Sequence, residues 1–361
     1  MFLTTTLKQP KGNWKSLTHL PIPEITNQLH DLNWRIRQQA VTVLSGTHDQ
    51  GHIERLIACL SDSHIAVRTA AIKALVVSDT IAVPLLINFL KDAENPLTQT
   101  NCARVLGRIG NLLATDPLIA ILTAQDDDTR RYSAEALGLL RNPQAVEPLI
   151  AALTTEKSPS VMMAIATALG RLADPHAVDT LIDCLSHPNQ MLLLATTWAL
   201  SKIGDPRAIP PMIEVLRHQC LEIQGRTAWG DDTIEDKVTI AARIQMYGGG
   251  HANMPENIAA MIARFGESAI THLNKLSQEA DPTTRLYATF ALSEISHPRA
   301  IESLIPRLKD PSANVRAMII SALCRIGDPD MIPHIMSVLN DTDPRVCSIA
   351  TAGLKKLENR T

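Results

Sequence analysis

The sequence predicts an all-α protein: an α-solenoid of about ten short helical hairpins wound as a right-handed superhelix. Three observations predict it. A leucine closing an alanine-rich stretch recurs at Leu44, Leu75, Leu106, Leu137, Leu169 and Leu200, in steps of 31, 31, 31, 32 and 31. The series returns at Ile262, Leu292, Leu323 and Leu354, in steps of 30, 31 and 31, after a gap of 62 that equals two periods. A second landmark keeps the same interval: Pro84, Pro117, Pro148, Thr180 and Pro211 open the other helix of each unit, and His272, Ser303 and His334 hold that place later. Finally, 45% of residues are hydrophobic but only 3% aromatic, so the core is built from Leu, Ile, Val and Ala. Such residues suit thin layers of small helices.

The elements follow in order. Residues 1–23 form an N-terminal extension, 24–217 a first set of repeats, 218–254 an irregular insertion, and 255–361 a second set. The unit 142–173 is representative. It opens on Asn142-Pro143, matched later by Asp174-Pro175, Asp205-Pro206, His297-Pro298 and Asp328-Pro329. Asp or Asn caps a coming helix, and Pro is tolerated in its first turn. Val146, Leu149, Ile150 and Leu153 then lie at offsets 0, 3, 4 and 7, one face of helix A. Helix B carries Ala164, Ala166, Ala168 and Leu169, small residues that let neighbours approach. Gly170, like Gly107, Gly138, Gly204 and Gly327, falls near the end of helix B, to stop it or to pack closely. One hairpin cannot bury its own apolar face, whereas a stack of them makes one core. An Arg recurs seven places before the spine Leu (Arg37, Arg68, Arg130, Arg285, Arg316), and an Asp after helix A (Asp62, Asp92, Asp310, Asp341). Together they predict an Arg–Asp ladder that fixes the stacking; the alternative is a basic ridge for a ligand.

The segments 67–75, 129–153, 200–216 and 314–339 resemble the HEAT-like repeats of the phycobilin lyase family, and the resemblance covers most of residues 24–358. It implies binding an open-chain tetrapyrrole, a bilin, and placing it against a Cys thiol of a phycobiliprotein. Under that implication carboxylates such as Asp231 or Asp232 give acid–base help, and Trp229 or Trp198 stack on the pigment.

The insertion concentrates unusual chemistry. The interval from Leu216 to Gly266 is 50, where that from Leu185 to Gly204 is 19; the excess of 31 is one repeat. It reads either as a repeat that lost its pattern or as an inserted helix, 233–247, with two loops. Cys220, Arg226, Trp229, Asp231, Asp232, Tyr247 and His251 lie in or beside it. Trp229 beside two aspartates suits a flat ligand with N–H donors, or a protein hot spot. Equally, Trp229 packs the insertion down and the aspartates only cap. A second cluster starts three successive B helices: Arg130, Arg131 and Tyr132; Met162 and Met163; then Met191 to Leu194, with Trp198 further along. On a concave face these form a ligand or partner groove; otherwise they are core.

Other chemistry is weak. The net charge of −3 lacks the basic excess of a nucleic-acid binder. The six scattered cysteines read as packed, reduced thiols, and neither a secretory leader nor a membrane-length apolar window is expected, so a cytoplasmic location is. His48 and His52 flank a turn without an acidic third ligand, so no metal is expected. YGGGH lacks the Lys of a phosphate-binding loop, and a Cys220–His251 nucleophile pair has nothing to bring it together. Two functions follow. One is a non-catalytic scaffold holding a protein partner on the concave face and insertion. The other is a bilin lyase or lyase subunit, with Asp231, Asp232 and His251 as its weak catalytic candidates. No cofactor is required in either; a bilin is the ligand of the second, and a phycobiliprotein its partner.

Overall fold

The structure is a computed structural model, and it describes residues 21–92, 95–227 and 254–358. The chain divides into two compact units, Met1–Ala145 and Val146–Thr361. In the first, helices alternate as A and B: α1 (Ile22–Asn27), α2 (Trp34–Val43), α3 (Gln50–Ala58), α4 (Ile65–Ser78), α5 (Val83–Asp92), α6 (Pro96–Ile109), α7 (Thr115–Ala120) and α8 (Asp127–Leu140). The second continues with α9 (Val146–Thr155), α10 (Pro159–Leu172), α11 (Val178–Asp183), α12 (Gln190–Ile203), α13 (Ile209–Thr227), α14 (Met254–Ala263), α15 (Glu267–Leu276), α16 (Pro282–Glu294), α17 (Pro298–Leu304), α18 (Ala313–Ile326), α19 (Ile332–Met336) and α20 (Pro344–Glu358). No strand occurs among the described residues, and the α-solenoid class holds.

Even-numbered B helices lie side by side: α2 on α4, α4 on α6 and α6 on α8 in the first unit, α10 on α12, α14 on α16, α16 on α18 and α18 on α20 in the second. Leu44, Leu75, Leu106, Leu137, Leu169, Leu200, Ile262, Leu292 and Leu323 are all buried, as the regular spacing requires. Leu354 is half-buried.

The glycines fall into two jobs. Gly107 and Gly170 follow the spine leucine inside the helix. A Cβ on Gly107 would lie 2.7 Å from Ala136 Cα, and one on Gly170 2.7 Å from Ala199 Cα. The residue after one spine leucine therefore packs on the residue before the next. The pair inverts at the C-terminal end, where Cys324 occupies the first place and Gly353 the second, and a Cβ on Gly353 would overlap the sulfur. Gly204 and Gly327, with Gly110, instead end their helices in the left-handed region, at φ +75°, +75° and +79°. Arg141 (φ 52°) and Ala173 (φ 55°) hold the equivalent place without glycine, at a cost of about 1 kcal/mol each.

The expected caps form. Asp174, Asp205, Asp328 and His297 each accept from the N–H two places on. The three aspartates cap a short 3₁₀ turn that precedes helix A, a refinement of the sequence expectation.

Three rungs of the expected Arg–Asp ladder form among the described residues. Arg37 grips Asp62 through Nε (2.7 Å) and Nη2 (2.8 Å), Arg285 grips Asp310 (2.8 and 2.9 Å) and Arg316 grips Asp341 (2.7 and 2.6 Å). Each carboxylate belongs to the next repeat. The remaining Nη1 donates to two carbonyls of its own A–B turn, and this second job is also done by Arg68 (Asp62 O, Ser63 O) and Arg130 (Ala124 O, Gln125 O). So Arg68 and Arg130 share with the other three the bracing of their own A–B turns. The side chain of Asp92 lies outside the described residues.

One apolar stretch, 65–91, has the length (27 residues) and mean hydropathy (1.9) of a membrane span, against expectation. Its backbone breaks at Asp79 (φ 53°) into α4 and α5, which pack on α2 and α6 and on α3 and α6.

Of the irregular region, 218–227 continues α13 and the helix at Met254 follows it in the described chain. α14 packs on α12, α13 and α16, taking the place of the helix B that pairs with α13. Among the described residues the double-period gap in the spine holds α13 and α14, and residues 228–253 between them lie outside the described residues.

Candidate functional site

α13 departs from its siblings because its apolar spacing runs on. Met212, Leu216 and Cys220 continue one face at steps of four, so helix A does not stop at Leu216. The result is 19 residues, against 5 to 10 in the other A helices. Two anchors hold the extension. Cys220 is fully buried, and burial pushes its thiol up to about 12, with Thr284 beside it. Arg217 donates to Glu214 (2.6 Å) and to Glu279 beyond α15 (3.0 Å). A thiol so buried and protonated is a packing group, which removes Cys220 as a nucleophile.

The outer flank of this extension and the A–B turn of the preceding hairpin enclose a cleft of about 790 Å³. One wall is Pro211, Val215, His218 and Leu221; the other is Ile182, Leu185, Pro188 and Leu193. Leu221 is 50% exposed and Met191, next to Gln190 on the rim, 60%. Polar groups sit at the edges: His218 Nδ1 lies 3.7 Å from Glu222, Gln219 donates to Glu222 (3.1 Å), and His187 Nδ1 accepts from Asn189 N–H (3.1 Å). That accepting role fixes the His187 tautomer when neutral and leaves Nε2–H as a donor. An apolar-walled concavity with a few oriented polar groups is the form of a binding site.

A smaller arrangement occupies the first unit. The Tyr132 ring lies between two guanidiniums, Arg131 at 4.0 Å and Arg104 at 4.8 Å from its centroid. Arg131 pairs with Asp128 (2.7 Å) and Glu135 (3.3 Å). Burial opposes the charge of Arg131, but the bonds to Asp128 and Tyr132 and the nearby Glu135 together outweigh it, and the pKa is raised. Arg104, Arg108, Tyr132, Glu135 and Leu139 surround a cavity of about 170 Å³ whose floor is the Gly107–Ala136 contact.

Among the predicted residues, Arg131 and Tyr132 come together, while Arg130 turns to its own backbone and to Asp127 (2.7 Å). Met162 and Met163 are half-buried on α10. Trp198 is half-buried on α12; its Cζ3 lies 2.8 Å from a Cβ built on Gly170, with Lys202 Nζ 5.6 Å from the ring centroid. It packs a helix contact while keeping an open edge. His52 bonds Thr47 Oγ1 (3.3 Å) and lies 3.5 Å from Asp49, in a structural turn. Trp229, Asp231, Asp232, Tyr247, His251 and the side chain of Arg226 lie outside the described residues. Sequence reasoning missed Arg104 and, Leu193 apart, the cleft walls. The continuing step from Leu216 to Cys220 was the signal for the latter.

The HEAT-repeat family pattern matches residues 22–81, 77–134, 115–188, 146–228 and 255–355. No curated protein matches the chain in sequence. Among solved structures, the karyopherin Kap121p bound to Ste12p aligns with a TM-score of 0.64 at 11% identity, over 93% of this chain and 41% of that one. Kap121p bound to Pho4p gives 0.64 at 12%, over 93% and 41%. The chain thus spans about two fifths of the karyopherin, and at that identity the likeness concerns fold alone. The CpcE–CpcF complex of phycocyanin lyase from Nostoc sp. PCC7120 aligns at 17% identity over 88% of this chain and 99% of that one, but at a TM-score of 0.36, too low to carry an argument. With paired helices on a periodic leucine spine and matches over nearly all the described residues, this chain belongs to the HEAT-repeat family.

Proposed function

We propose that the chain is a HEAT-repeat scaffold that holds a protein partner in the cleft along α13. The carrying observation is that cleft: an apolar groove with exposed Leu221 on its wall, built where one helix outgrows its repeat. Exposed aliphatic side chains beside a concavity are what a partner's anchor residue fills. That a similar fold is bound to Ste12p and Pho4p in the karyopherin structures is in keeping with this use. The test is capture of partners on the immobilised chain, compared with Leu221→Glu, a change at an exposed site. The scaffold reading expects a stoichiometric partner lost from the variant and retained by Leu112→Glu on the other unit. A partner set identical on all three proteins would sink it.

A second reading, a bilin lyase or lyase subunit acting on a phycobiliprotein, is favoured by the cleft's size. About 790 Å³ falls in the range of small-ligand sites, and Glu214 and Glu222 would face pyrrole N–H groups. The sequence resemblance adds to it. Phycocyanobilin mixed with the chain is expected to give a red-shifted, structured band, abolished by Asp231→Asn with Asp232→Asn. An unchanged free-pigment spectrum rejects this reading and leaves the scaffold.

A further inference from the structure

The helix-B face of the first unit has a charge pattern that the cleft does not use. α4, α6 and α8 are neighbours, and the repeat aligns their side chains in rows one period apart. One row is Lys73, Arg104 and Glu135; the next is Val77, Arg108 and Leu139. Lys73 and Arg108 are exposed, Val77 is 63% and Leu139 47% exposed. Among the described residues no carboxylate lies within ion-pair distance of Lys73, Arg104 or Arg108. Arg104 bonds only Asn101 Oδ1 (3.1 Å) and stacks on Tyr132, while Glu135 is taken by Arg131. Three cations with no ion pair among the described residues thus stand on a chain of net charge −3, flanked by two exposed aliphatic side chains.

We propose that this face docks an acidic protein segment, its carboxylates meeting Lys73, Arg104 and Arg108 and its apolar side chains lying on Val77 and Leu139. The cavity between Arg104, Arg108 and Tyr132, about 170 Å³, is smaller than a drug-sized site but admits one carboxylate head. Arg104 and Arg108, four apart on one helix, form a two-pronged donor set, and stacking on Tyr132 holds the Arg104 plane in place. Val77 and Leu139 argue for a protein rather than a nucleic acid, since a phosphate backbone gains nothing from aliphatic contacts. The inference shares with the scaffold reading only the class of partner, and uses other residues.

The test is a fluorescence-anisotropy titration of the intact chain with a labelled Glu/Leu peptide, beside a Lys/Leu peptide and a single-stranded oligonucleotide. The expected result is binding of the Glu/Leu peptide alone, weakening steeply as salt rises. Arg108→Glu, at an exposed site, should cost roughly tenfold in affinity, Lys73→Glu a similar factor, and both should melt as the native chain does. Leu221→Glu should bind the peptide normally. The proposal is overturned if the native chain ignores the peptide, if Arg108→Glu and Lys73→Glu bind it unchanged, or if the oligonucleotide displaces it. It is also overturned, with the scaffold reading intact, if Leu221→Glu abolishes binding and Arg108→Glu does not.

Discussion

At the scale of single residues, the fold depends on complementary small side chains and paired charges. Gly170→Ala places a methyl 2.7 Å from Ala199 Cα and 2.8 Å from the Trp198 ring, so α10 and α12 must separate. The expected loss is about 2 kcal/mol by denaturant titration. Relief should come from Ala199→Gly in the same chain, the exchange that nature makes at Cys324 and Gly353. The carboxylates tell a similar story. The bond from Arg316 holds Asp341 below the usual carboxylate range, and Asp62 is also lowered because, although burial raises it, bonds from Arg37 and the His64 N–H win. The unfolded state therefore binds protons first as pH falls, so this stabilisation is full above the unfolded value near 3.9 and is lost as pH drops through the lower folded values. Asp341→Asn should cost about 2 kcal/mol at neutral pH, because the 11% exposed Arg316 side chain loses its carboxylate, and should flatten the acid limb of the stability curve. An acid limb of unchanged slope would contradict the assignment.

Single elements were unevenly legible. Helices B could be placed because Leu and Ala mark the same turn in every repeat, and the caps before helices A follow from Asp-Pro or Asn-Pro pairs. The left-handed ends were readable where Gly204 and Gly327 stand, but not where Arg141 and Ala173 adopt the same backbone, since neither residue favours it. Ala173→Gly should accordingly stabilise the chain by about 0.5–1 kcal/mol, seen as a higher Tm. Arg37, Arg68 and Arg130 share one place in the repeat, and the bonds they give to the carbonyls of their own A–B turns were not legible from that place alone. α13 was read as ending near residue 217 because the spacing of repeats, rather than its own apolar face, set the boundary. Its extension makes the cleft, so the least regular helix carries the strongest candidate site. Arg217→Met should loosen that extension, raising hydrogen exchange across residues 217–227 while leaving α10 protected.

For the molecule as a whole, periodicity reveals the architecture and conceals the function. A regular spine requires only that neighbours match, so the same signal serves any partner, and the proposed sites lie where the pattern lapses: in the overlong α13 and in the cations of α4 and α6. Arg131 and Tyr132 were visible as a cluster, yet Arg104 joins them only through the stacking of helices from successive repeats. The most direct test of the scaffold account is hydrogen exchange of the chain with and without its captured partner. The account predicts new protection concentrated in residues 182–193 and 211–222, with the B-helix cores unchanged. Protection confined to other segments, or none while the complex persists, would contradict it.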